Sequence, residues 1–155
     1  MKRIVKSVLV FALFLGCSPT VKDTFNTVEI ISSKGEKIYI NSLNWGITDD
    51  YQISIISANK DRVKDRKDTI DVVKGLEPFI YSFKNDSLKL FFHNNITYRV
   101  KDDFKTINVS YSVLKTPLYD DIKRKSYDND GYYSVPMTKK VAYPSDMPSP
   151  PSNKN

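Results

Sequence analysis

The residues with the clearest chemical potential lie in one short stretch, NSLNWGITDDY at positions 41–51. Trp45, the only tryptophan, is followed by Gly46 and then by the carboxylates of Asp49 and Asp50. An aromatic floor beside two carboxylates would form a ligand pocket. The alternative is that a tryptophan beside a glycine packs under a loop between two strands. The first interpretation makes Trp45, Asp49 and Asp50 the candidate ligand-binding residues.

Few other groups are suited to catalysis. The one histidine, His93, ends the run LKLFFH, and the sequence has no G-x-S-x-G elbow to present a nucleophile to it. We therefore expect His93 at a strand end or in a turn. Adjacent aspartates on a strand point to opposite faces, so the Asp doublets do not form the convergent pair that glycoside hydrolysis uses. We assign no catalytic residue, no metal ligand and no cofactor.

Three tripeptides suggest a covalent modification. DTF at 23–25, DTI at 68–70 and DSL at 86–88 are similar to the Asp-Ser/Thr-hydrophobic acceptor pattern of O-glycosylation in some Gram-negative bacteria. The resemblance makes Thr69 and Ser87 candidate glycosylation sites. The alternative is that an Asp-Ser pair before a strand belongs to a turn.

The N-terminal residues have the pattern of an export signal. Three of the first six residues are basic, and the run VLVFALFL at 8–15 is apolar. A membrane-spanning helix needs about 20 apolar residues, so this shorter run indicates a cleaved secretory signal. The run ends at Gly16 and Cys17, which is the only cysteine of the chain.

This Gly16-Cys17 junction resembles the lipobox of bacterial lipoproteins, in which a small residue precedes a cysteine that is lipidated and becomes the mature N-terminus. The resemblance implies cleavage before Cys17, a diacylglycerol on its thiol and a third acyl chain on its amine, so that the membrane is a partner through this lipid. Ser18, where some lipoproteins have aspartate, implies sorting to the outer membrane. The alternative makes Cys17 a small hydrophobic residue of a core helix. Residues 41–51 are also similar to small uncharacterised lipoproteins of Gram-negative bacteria.

The elements that must position these residues are β-strands. INVSYSV at 107–113 alternates apolar and polar side chains, which is typical of a half-buried strand. Similar runs recur between residues 28 and 92, separated by turn-forming segments such as SSKGE at 32–36 and KNDS at 84–87. We expect an all-β fold with six to seven strands, a small antiparallel β-sandwich or barrel, with immunoglobulin-like topology as one option.

The chain therefore divides into four parts. Residues 1–16 are the lipoprotein signal peptide, 17–26 the lipidated N-terminus and tether, and 27–115 the β-domain. Residues 116–155 form a loosely packed to disordered tail, which ends in a segment rich in proline, serine and asparagine.

Two charged segments leave alternatives open. ANKDRVKDRKDT at 58–69 mixes basic and acidic side chains, so it is either a contact surface or a solvated loop. Residues 118–140 combine basic residues with tyrosines. They either bind anionic glycans of the envelope or form a loosely packed hairpin over the sandwich.

The net charge of the chain limits the classes of partner that the sequence indicates. The formal charge is +6, but loss of Lys2, Arg3 and Lys6 with the signal leaves 21 basic and 18 acidic side chains, or +3. That charge is too small to indicate a nucleic-acid partner. We expect a non-enzymatic lipoprotein of the cell envelope that binds an unidentified envelope protein or glycan, or takes part in assembly. The alternative is a hydrolase that uses carboxylates near Trp45 to cleave envelope polysaccharide.

Overall fold

The computed structural model describes residues 22–138. Within them are seven short strands, in agreement with the expected six to seven, followed by one helix. In chain order the elements are β1 (Thr24–Ile31), β2 (Lys37–Trp45), β3 (Tyr51–Ser57), β4 (Val73–Lys74), β5 (Ile80–Lys84), β6 (Ser87–His93), β7 (Asn108–Leu114) and α1 (Thr116–Tyr127).

The strands form two sheets, which confirms the all-β prediction and the sandwich arrangement. Sheet A has the order β1-β2-β3-β4 with every pair antiparallel, and sheet B has the order β5-β6-β7. The described strands do not close into a barrel. Each sheet takes its strands consecutively from one half of the chain, whereas the immunoglobulin fold mixes early and late strands in each sheet.

The pair formed by β6 and β7 differs from the expected antiparallel arrangement, because these two strands are parallel. Parallel neighbours need a long crossover, and residues 94–107 provide it. This crossover contributes Tyr98 and Ile107 to the core, at 6% and 4% exposure. Alternation along a strand indicates which face is buried and leaves the direction of its neighbour open.

The main core lies between the sheets, and further apolar clusters lie on their outer faces. Residues 58–72 cover the outer face of sheet A, and α1 covers the outer face of sheet B. Burial on both faces explains why β3 is buried at six of its seven positions. The buried residues that the strands contribute to the main core are Ile30, Ile38, Ile40, Ile56, Val73, Tyr81, Leu88, Leu90 and Phe92.

The charged segment at residues 58–69 is largely a solvated loop, in agreement with one of its two interpretations, but it has an apolar anchor. Val63 is buried and packs against Leu43, Ile53 and Ile55 on the outer face of sheet A. Its φ of 60° lies in the left-handed region, which a β-branched residue rarely adopts. The burial of Val63 holds the loop down on the sheet.

The segment expected to form a loose hairpin begins instead with the helix α1. Pro117 lies in its first turn, where the missing N–H breaks no helical hydrogen bond. Ile122 is buried and packs against Ile80 and Phe91 of sheet B. The helix is therefore part of the domain.

The residues after the helix are packed as well. Tyr133 exchanges two backbone hydrogen bonds of 2.9 Å with Tyr81, and Val135 is 2% exposed in the main core. The predicted tail thus differs from the expected loose packing over residues 116–138, because its apolar side chains complete both faces of sheet B. The remainder of that tail, 139–155, lies outside the described residues.

Candidate functional site

One end of sheet A contains the three candidate ligand-binding residues, Trp45, Asp49 and Asp50. We call it the hairpin end and define it as residues 22–24, 45–51 and 74–76. Thr24 pairs with Asn44 at the start of β1, and Trp45 pairs with Tyr51 across the loop that joins β2 to β3. The N–H of Gly75 donates to Gln52 O, which extends the same end beyond β4.

Trp45 satisfies parts of both interpretations offered for it. Its ring packs against the apolar cluster under residues 58–72, and it also stacks on Tyr51 with centroids 5.9 Å apart and planes 15° apart. The guanidinium carbon of Arg66 lies 5.0 Å from the centre of the indole. Trp45 is therefore half buried, with an aromatic neighbour and a cation on its ring.

Arg66 also ties the chain entering β1 to this end. Its Nε donates to Asp23 Oδ2 at 2.8 Å, and its Nη2 donates to Asp23 Oδ1. The hydrogen bonds from Arg66 hold the pKa of the Asp23 carboxyl below its ordinary value. The start of β1 is thereby joined to the loop that covers sheet A.

A shallow groove of about 320 Å³ opens beside the stacked rings. Asp50 and Lys74, whose side chains carry opposite charges, both line it. Gly46, at a φ of 104°, lies against Asp50, and a Cβ at position 46 would overlap Asp50 Oδ1. The lining residues are Trp45, Asp50, Tyr51, Gln52, Ile53, Lys74 and Gly75.

The two candidate aspartates do different things. Asp49 does not line the groove, and its Oδ2 accepts a hydrogen bond of 3.2 Å from the Thr24 hydroxyl. Asp50 is the one carboxylate among the described lining residues. Glycoside hydrolysis uses two carboxyl groups that face the same bond, and the groove presents one.

No metal centre is formed by the part of the chain that the structure describes, since no three His, Cys, Asp or Glu side chains are grouped to hold an ion. His93 lies at the end of β6, which confirms its expected position. Its Nε2 is 3.1 Å from Thr116 Oγ1, and its ring lies 5.2 Å from that of Tyr119. These contacts join β6 to α1.

The two candidate glycosylation sites differ in accessibility. Thr69 is exposed in the loop over sheet A, beside Asp68, whose carboxylate pairs with Arg62. Ser87 is half buried as the first residue of β6, and the preceding Asp86 accepts hydrogen bonds from the backbone N–H and hydroxyl of Ser33. Thr69 is thus the more open of the two.

The exposed apolar surface of the hairpin end was not predicted from the sequence. Ile47 is 91% exposed at the tip of the loop, Tyr51 is 58% exposed and Leu76 is 55% exposed. The one sequence feature that could have indicated it is the position of Ile47, an apolar residue between Gly46 and the polar run 48–50 in an expected turn.

The lipidation and cleavage residues, Cys17 and Gly16, lie outside the described residues. No helix within residues 22–138 has the length and apolar character to cross a bilayer. Comparison with family models, with curated proteins and with solved structures gives no match to this chain.

Proposed function

We propose that this chain is a lipoprotein of the cell envelope, held at the outer membrane by lipid on Cys17, whose β-domain acts by binding or assembly and not by catalysis. The single observation that carries the proposal is the Gly16-Cys17 junction after a basic start and a short apolar run. The chain has one cysteine, and lipidation needs one.

The strength of such an anchor follows from its number of acyl chains. Each buried methylene contributes about 0.8 kcal/mol, and one chain of myristoyl length binds only marginally, so stable attachment needs a second signal. Three acyl chains on Cys17 exceed that requirement. The domain is then held permanently at the surface of the bilayer.

The position of β1 supports close attachment. The strand begins at Thr24, three residues before the expected start of the domain at 27. The tether from Ser18 to Asp23 is therefore six residues, which span roughly 20 Å when fully extended. Whatever the domain binds must be reached from that distance.

The groove at the hairpin end favours binding over hydrolysis. Asp50 is its one carboxylate among the described lining residues, and Asp49 is engaged by Thr24. This arrangement lacks the second carboxyl group that would activate water or attack a sugar. We therefore do not carry the hydrolase forward as a second function.

The test is the fate of a Cys17→Ser variant in a Gram-negative host that lipidates its own lipoproteins. We expect the wild-type protein in the membrane fraction, with an intact mass that shows loss of residues 1–16 and addition of acyl chains. The variant is expected as unprocessed precursor or in the soluble fraction. Ser18→Ala is the matched control and keeps the acyl mass. Wild-type protein without acyl mass would refute the proposal.

A further inference from the structure

The exposed apolar side chains of the hairpin end come from separate segments that the fold brings together. Ile47 belongs to the loop after β2, Tyr51 begins β3, and Leu76 follows β4. Single exposed apolar residues are ordinary on a protein surface. Here three of them lie at the same end of sheet A, where Tyr51 stacks on the half-buried ring of Trp45, and Ile47 is the most exposed of the large apolar side chains described.

The same end receives the chain from Cys17. Residues 18–23 precede β1 in the sequence, and Asp23 and Thr24 are bound to Arg66 and Asp49. The described chain therefore enters β1 at the hairpin end. The other end of β1, at Ile31, lies about 24 Å further along the strand. A tether of roughly 20 Å brings the hairpin end, and not that far end, to the bilayer.

The charges at this end are balanced. The hairpin end carries Lys22 and Lys74 with Asp23, Asp49 and Asp50, and Arg66 from the covering loop is bound to Asp23, so the formal charge of these six residues is zero. A contact made here does not depend on anionic headgroups. Tryptophan and tyrosine suit the boundary between headgroups and acyl chains, because each has an apolar body and a polar edge.

We propose that the hairpin end rests on the lipid bilayer, with Ile47 inserted at the boundary of headgroups and acyl chains and with Trp45, Tyr51 and Leu76 at headgroup level. This inference rests on the proposed function, because the lipid on Cys17 supplies the proximity. A weak apolar contact suffices once the tether makes it intramolecular. The contact fixes the orientation of the domain relative to the bilayer, so that the far end of β1, at Ile31, points away from the membrane.

The chain carries its own reporter for this contact, because Trp45 is the only tryptophan. The lipidated protein, purified in detergent from host membranes, is reconstituted into neutral phosphatidylcholine vesicles with and without bromine on the acyl chains. We expect brominated acyl chains to quench the fluorescence of Trp45. Acrylamide in the aqueous phase is expected to quench this fluorescence less in the vesicle-bound protein than in the non-acylated protein in buffer without vesicles. High salt is expected to leave the quenching by bromine unchanged.

Two isoleucine variants separate this contact from a general effect of tethering. Ile47→Asp is expected to lose the larger part of the quenching by bromine, and it leaves folding intact because the side chain is 91% exposed. Ile31→Asp makes the same substitution at the far end of β1, and this variant is expected to keep the quenching by bromine. Circular dichroism of both variants checks that the fold is retained.

The outcomes distinguish this inference from the proposed function. Intact mass reports acylation independently, so protein without acyl chains refutes the proposed function. Acylated protein whose Trp45 stays open to acrylamide and untouched by bromine overturns only the bilayer contact. Equal quenching in Ile47→Asp and wild type also overturns it. Shielding of Trp45 that depends on protein concentration and not on vesicles would assign the surface to a second copy.

Discussion

Glu36 and Thr106 lie 70 residues apart in the chain, and the Thr106 hydroxyl donates a hydrogen bond of 2.6 Å to Glu36 Oε2. The same carboxylate accepts the backbone N–H groups of Lys105 at 2.8 Å, Thr106 at 2.6 Å and Ile107 at 3.2 Å. Glu36 ends the turn between β1 and β2, and Thr106 precedes β7. One side chain thus joins the turn of sheet A to the crossover of sheet B.

This relationship predicts an acid-sensitive stability. The hydrogen bonds from the Thr106 hydroxyl and from the backbone of 105–107 lower the pKa of Glu36 from 4.5 to about 2. Since the folded pKa is depressed, the stabilisation is full above about 4.5, the unfolded value, and is lost as pH falls towards about 2. Glu36→Gln is expected to be less stable at pH 7 and to lose less stability over that window.

Urea unfolding followed by Trp45 fluorescence at several pH values measures this effect. Asp86, whose pKa is lowered by hydrogen bonds from Ser33, contributes in the same direction but is present in both proteins, so the difference isolates Glu36. The exposed Asp120→Asn is the control and keeps the wild-type slope. Identical slopes for Glu36→Gln and wild type would contradict the assignment.

The packing of residues 58–72 on the outer face of sheet A is predicted to depend on the buried side chain of Val63. Val63→Ala removes two methyl groups from a buried site and is expected to lower the free energy of unfolding by about 2 kcal/mol. Val63→Gly should cost no more than this, because glycine removes the strain of a β-branched residue at positive φ, about 1 kcal/mol. Ile70→Ala, an exposed change nearby, should stay within about 0.5 kcal/mol. A Val63→Ala protein as stable as wild type would show that the loop is held by its ion pairs instead.

The strands and the antiparallel pairs across the turns at 32–36 and 84–87 were predictable, and the parallel pairing of β6 with β7 was not. Alternation at 107–113 located β7, and Asn85 and Asp86, both at positive φ, form the turn expected at KNDS. Helix α1 was missed because its buried positions are few. Ile122 and Ser126, four residues apart, are the buried pair, and charged residues surround them. The link from Glu36 to Thr106 depends on a contact between distant segments, for which a single sequence carries no periodic signal.

The candidate site was predicted only in part, because some of its contacts join segments that are distant in the sequence. Trp45 and Asp50 lie on one groove, as their spacing suggested, whereas Asp49 is positioned by its own positive φ of 54° and by Thr24. Arg66 was missed because it reaches Trp45 from a loop that looked merely solvated. Local spacing predicts neighbours within one hairpin, and it does not predict which distant loop folds over them.

If the domain acts by binding, as proposed, the wild-type protein is expected to release no sugar from envelope polysaccharide, and substitution of Asp49 or Asp50 is expected to leave the fold intact. Asp50→Asn should change the free energy of unfolding by less than about 0.5 kcal/mol, and Asp49→Asn by less than about 1 kcal/mol, because both side chains are exposed. Release of reducing ends from isolated envelope polysaccharide is the assay, with Asp120→Asn as the control. Wild-type cleavage that is lost in Asp50→Asn and kept in Asp120→Asn would restore the hydrolase.

The last prediction concerns sugar on the loop over sheet A. A glycosyltransferase needs an acceptor hydroxyl on accessible backbone outside a sheet. Thr69 meets this need, being exposed and outside the strands. Ser87 does not, because it is half buried and paired in β6 with Lys84 on one side and Asn108 on the other.

In a host with Asp-Ser/Thr-hydrophobic glycosylation, we therefore expect the exported protein to carry added hexose on Thr69. Intact mass should show that Thr69→Ala removes the added mass and that the matched change Ser87→Ala keeps it. An added mass that persists in Thr69→Ala and disappears in Ser87→Ala would mean that the enzyme acts before β6 joins the sheet. An exported wild-type protein with no added hexose would dismiss both sites and leave DTI and DSL as turn sequences.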